Sequence, residues 1–180
     1  MDRMLESSLR ILSNLLIAVA GLCLALMMIH VIADVALKYV ANSPIPGTAE
    51  IVAHYYMVAA VFLPLPLVEL NNRAIFVDLF YNMMGPPFKR ASLLLAYGAQ
   101  IAFFGVLAWQ TSQDAMVAYS KGDLVEGIVN VIVWPGRFFL PIGFWLAVAV
   151  TVLRFVQVLI RRDWAEVTSP IPGDSSPEAV

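Results

Sequence analysis

Charge is scarce in this 180-residue chain. Asp, Glu, Lys and Arg make up 13% of it, about half the ~25% of an ordinary soluble domain. Eleven basic and 13 acidic side chains cannot coat a soluble body in which 61% of residues are hydrophobic. The same hydrophobicity excludes a disordered chain. Cysteine occurs once, at Cys23, so no internal disulfide forms. Without a His–acid constellation beside it, that thiol makes a poor nucleophile. A net charge of −2 argues against nucleic acid as a partner. Glycine-rich phosphate loops, zinc-spaced clusters and nucleophile motifs are all missing. These absences point away from an enzyme and from a bound cofactor.

What the chain does contain is apolar length. Ile11 to Ala33 is 23 residues without a formal charge, enough at ~1.5 Å per residue to cross a ~30 Å hydrocarbon core. A signal peptide would have a shorter apolar region of ~7–15 residues. The run instead continues through Asp34 to Tyr39, so the span is read as retained. Asn42-Ser43-Pro44-Ile45-Pro46-Gly47 breaks the helix. Thr48 stands where an N-cap would, with Glu50 in the following turn. A second span follows, kinked by Pro64 and Pro66. Residues 74–84 are too few to cross, but Ile75, Phe76, Leu79, Phe80 and Met83 share one helical face. That pattern predicts an amphipathic helix lying in the interface. Ala91 to Gln113 is a second uncharged run of 23 residues and forms span three. Pro135, Gly136 and Pro141 predict an irregular start to span four.

The expected fold is an all-α integral membrane protein of four transmembrane helices plus one short interfacial amphipathic helix. The spans fall at about 11–38, 49–70, 90–118 and 131–161, with the interfacial helix at about 73–84. Residues 1–165 form one transmembrane domain and 166–180 a flexible tail. Four spans put both termini on one side. Eight Lys and Arg residues fall on that side and Lys38, Lys121 and Arg137 on the other, which predicts cytoplasmic N and C termini.

Six charged residues are candidate partner or lipid contacts. Asp34 and Lys38 are spaced i, i+4, the orientation of a helix ion pair, and a local salt bridge is the simpler reading. Glu50 could ligate a proton or ion, though the helix dipole alone accounts for its place. Arg137 could clamp an anion or a lipid phosphate, or only snorkel. Arg73 and Asp78 could meet headgroups or a partner loop, or simply be the solvated face of the interfacial helix. His30 and His54 fall at similar depth on antiparallel spans, the arrangement a bis-histidine b haem needs. A haem-bearing anchor of a quinone-linked oxidoreductase is therefore the alternative function, with packing near the interface as the plain reading. No Asp, Glu, Lys or Arg falls at the middle of any span, where a coupled transporter places its binding groups. Small residues at Ala18, Gly21 and Ala25, and at Gly98, Ala102 and Gly105, offer faces for tight helix contact.

Four ordered stretches resemble the small membrane subunit of tripartite ATP-independent periplasmic (TRAP) transporters, the DctQ-like family. They are Ala33-Asp34-Val35-Ala36-Leu37-Lys38-Tyr39, Pro44-Ile45-Pro46-Gly47-Thr48-Ala49-Glu50, Asn72-Arg73-Ala74-Ile75-Phe76-Val77-Asp78, and Trp134-Pro135 through Pro141-Ile142-Gly143. The resemblance covers roughly Leu9 to Arg161. It departs from the family pattern at Lys38, where Arg is common, and at Pro64 and Pro66, where small residues are expected. It implies a non-enzymatic subunit in a bacterial inner membrane. Its partners would be a large elevator-type membrane subunit, a periplasmic substrate-binding protein and membrane phospholipids. The small subunit would scaffold the large one and help dock the binding protein during sodium-coupled uptake of an organic acid.

Overall fold

The structure, a computed structural model, describes residues 2–71, 86–125 and 130–160. Four of its helical segments are long and apolar enough to cross a membrane. Span one is α1 (Asp2–Ala41), a single 40-residue helix. Span two, Thr48–Leu70, is broken into α2 (Thr48–Ile51), a π-helical turn (Val52–Tyr56), α3 (Met57–Phe62) and α4 (Leu65–Leu70). Span three is α5 (Pro86–Lys121), 36 residues long. Span four joins α6 (Trp134–Arg137) to α7 (Phe139–Ile160). The all-α expectation holds, with one addition. Leu124–Val125 (β1) and Val131–Ile132 (β2) pair antiparallel in the connection between spans three and four. The interfacial helix expected at 73–84 and the tail at 166–180 lie outside the described residues.

Chemistry at the backbone explains the breaks. Pro64 has no N–H to give, and the helix stops at Leu63–Pro64 before resuming at Leu65. The loop after α1 starts at Asn42, whose φ of 51° is left-handed and suits Asn. Thr48 is not the N-cap. Gly47 takes that position with φ 87°, and Thr48 is the first helical residue, its Oγ1 donating to the Ile45 carbonyl at 3.0 Å. Gly122 ends α5 with φ 61° in a Schellman turn: its N–H meets the Tyr119 carbonyl and that of Asp123 the Ala118 carbonyl.

Span four sits at the centre. α7 packs extensively on α5 and also against α3 and α4, while α1 lies against span two. The contact between spans two and four is close because Gly136 and Gly143, two turns apart, have no side chain. A Cβ at Gly136 would collide with the His54 carbonyl oxygen, and one at Gly143 with the Phe62 carbonyl oxygen. Gly21, Gly98 and Gly105 meet nothing within 4 Å of where a Cβ would stand. Ala18, Ala25 and Ala102 are exposed as well, so the small-residue faces expected on spans one and three make no tight helix contact among the described residues. Ala59, Leu63, Ala147, Val150 and Val158 are fully buried in the interior.

α1 and α5 run on beyond their uncharged stretches by the same length. Eight residues follow Ala33 in α1, and eight follow Gln113 in α5. The bundle therefore has a terminal end, where α7 finishes and Glu6 of α1 reaches Arg154, and a ribbon end, which carries β1 and β2.

Candidate interaction sites at the two ends of the bundle

At the ribbon end two of the candidate charges, Asp34 and Arg137, bond to the loops. Asp34 does not pair with Lys38 among the described residues. Its Oδ1 accepts a hydrogen bond from the Ile45 N–H at 2.6 Å, tying the loop after α1 back to the helix. A carboxylate on a backbone N–H is a strong, charge-assisted bond. Lys38 lies in the last turn of α1 and is exposed, where its charge complements the negative helix end. Glu50 is half-buried in the first turn of α2, facing the positive end. Arg137 is engaged: its Nη2 lies 2.7 Å from Asp123 Oδ2. That pair and the bond from Val133 N–H to the Asp123 carbonyl hold the ribbon against the start of span four. Arg73 and Asp78 lie outside the described residues. The candidates that are described stand at separate points of one rim, not in a single pocket.

Aromatic side chains complete the ribbon end. The Tyr55 hydroxyl donates to the Ile132 carbonyl, and Tyr119 meets Trp134 edge-on at 5.0 Å. A cleft of about 470 Å³ lies between Ile51, Tyr55 and Tyr56 of span two and Asn130, Val131 and Ile132 of the ribbon. His30 packs edge-on against Tyr56, with ring centroids 6.0 Å apart. His54 sits in the π-helical turn, its carbonyl against Gly136. Among the described residues no group of three or more His, Cys, Asp or Glu side chains could hold a metal ion.

The terminal end holds polar groups whose role the sequence reading missed. Arg154 is 6% exposed. Its Nη2 donates to the Leu70 carbonyl at 2.6 Å, and its Nη1 to Gln157 Oε1 at 3.0 Å. Glu6 Oε1 lies 3.8 Å from both Arg154 and Arg10. Arg90 of α5 donates to the Val158 and Leu159 carbonyls at 3.2 and 2.7 Å. Glu69 hydrogen-bonds Gln100 across spans two and three. One signal was present in the sequence. Thr151, Arg154 and Val158 are spaced i, i+3, i+7, and all three are buried, so the arginine shares the packed face of α7.

Four apolar spans with their charges at the two ends define a multi-pass membrane protein. The family model for the DctQ component of tripartite ATP-independent periplasmic transporters matches residues 27–161. The chain belongs to that family. It is a component of a transporter and not an enzyme, which sets aside the oxidoreductase-anchor reading of His30 and His54. No curated protein and no solved structure matches it.

Proposed function

We propose that this small TRAP permease subunit is a static scaffold for the large, elevator-type membrane subunit. It helps dock the periplasmic binding protein while the large subunit carries an organic acid together with sodium. The observation that supports this reading is the lack of formal charge along the apolar stretch of every span. Residues 11–33, 51–68, 91–113 and 138–153 contain no Asp, Glu, Lys or Arg. Sodium and carboxylate need polar ligands near the midplane, and these stretches supply none that are charged. An elevator needs one part fixed while another slides, and additional helices broaden the fixed part.

Residues 1–165 act as one membrane domain in the bacterial inner membrane, with both termini cytoplasmic. The excess of Lys and Arg at the terminal end supports that orientation. Lys38, exposed at the ribbon end, is the candidate contact for a headgroup or partner there. Asp34, Glu50 and Arg137 act by shaping the rim, and Arg73 and Asp78 contribute contacts at the opposite end.

Affinity purification of the tagged chain, with uptake measured in cells and in vesicles, tests the proposal. The expected result is co-purification of a much larger multi-span subunit, and uptake that needs both chains plus the binding protein. Uptake by this chain alone, or full uptake after its deletion, would overturn the reading.

A further inference from the structure

The strongest feature left over from the scaffold reading is the buried guanidinium of α7. Packing does not account for it, because taking a cation out of water is costly and a methionine of similar length would fill the space at less expense. Its contacts do. Leu70 is the last residue of α4 and is 1% exposed, so its carbonyl is screened from bulk water, and among the described residues no backbone N–H reaches it. Arg154 supplies the donor. The same guanidinium faces Glu6 on α1, and Gln157 orients it from its own helix. Three spans meet at one planar group.

We propose that Arg154 is a positioning residue, a clamp that fixes the ends of spans one and two on span four and so makes the bundle a single stiff body. Its planar fork reaches Leu70 and Gln157 at once, from Nη2 and Nη1. A lysine ammonium, a point charge with no such fork, holds one or the other. The hydrogen bond to Leu70 is the main element. The Glu6 contact, longer at 3.8 Å and shared with Arg10, is secondary. The purpose of the clamp rests on the scaffold reading, but its existence does not.

Spin-label distances in the full-length chain test the clamp without any partner. Labels replace Val68 on span two and Val152 on span four, both exposed, with Cys23 replaced by Ala. The unsubstituted clamp should give one narrow distance distribution. Arg154→Met should broaden it and add a second population, and Arg154→Lys should do so less. Glu6→Gln should leave it nearly unchanged. Arg90→Met, which removes the cap on the end of α7 instead, should leave it narrow. If Arg154→Met does not fold, the lysine variant carries the test. An unchanged distribution in Arg154→Met or Arg154→Lys would overturn the proposal. Equal broadening in Arg154→Met and Arg90→Met would overturn it too, since that reports general loosening. Failure of co-purification with a large subunit would count against the scaffold role alone.

Discussion

The two ends of the bundle solve one problem in different ways. Each end is where two helices finish, and each finish leaves carbonyls without partners and a partial negative charge. At the ribbon end, α1 and α5 each carry a lysine in their own last turn, Lys38 and Lys121, and close with a left-handed Asn42 or Gly122. These devices are local. At the terminal end, span two finishes inside the packed bundle at Leu70, span four finishes at the exposed Leu159 and Ile160, and carbonyls of both are met by arginines from other helices. Arg154 of α7 serves Leu70, and Arg90 of α5 serves Val158 and Leu159. Depth explains the arginine at Leu70. An exposed helix end has water and its own side chains, whereas a buried one needs a long donor delivered from a neighbour. Basic residues that set membrane orientation can therefore also join the helices together.

That contrast predicts unequal costs for similar changes. Arg154→Ala should cost most, about 2–3 kcal/mol, because a charge-assisted bond is lost and a buried carbonyl is stranded. Thermal unfolding in detergent would show it. A midpoint equal to that of the unsubstituted protein would remove the distinction between the ends. Gly143→Ala comes next, at about 1–3 kcal/mol, since its methyl group would press on the Phe62 carbonyl. Gly21→Ala, which meets nothing, should show no loss by the same measurement. At the ribbon end Asp34→Ala should cost about 1 kcal/mol by freeing the Ile45 N–H, and should speed proteolysis within residues 42–47. Arg137→Gln should cost least, about 0.2–1 kcal/mol, because its ion pair with Asp123 is partly exposed. If Arg137→Gln proved as damaging as Arg154→Ala, the ribbon end would be no more local than the other.

The parts legible in the sequence were those set by local chemistry. Uncharged runs placed the four spans, and proline and glycine placed the breaks at 42–47, at Pro64 and at 134–141. Tertiary choices were hidden. Gly21, Gly98, Gly136 and Gly143 read alike in a sequence, yet only the last two meet another helix closely. The π-helical turn at Val52–Tyr56 follows from no local pattern, and two-residue strands are too short to show a period. Thr48 looked like a cap because Thr suits that role, but Gly47 reaches a left-handed φ that Thr avoids. Arg154 counted only as an orientation marker until its partner, the Leu70 carbonyl 84 residues away in the chain, was visible. Asp34 and Lys38 had ideal helix spacing, but the N–H of Ile45 offered the carboxylate a better partner than an exposed ammonium.

The equal overruns of α1 and α5 have a consequence in height. Eight helical residues rise about 12 Å, and a tilt of about 20° leaves about 11 Å of that. The headgroup layer on one side of a bilayer is only about 5–8 Å deep, being half the difference between the full and the hydrocarbon thickness. With the hydrocarbon edge set at Gln113, the paired strands, carried at the top of α5, stand at the outer level of the headgroups or above it. A soluble protein approaching that face would touch this rim before it touched the membrane.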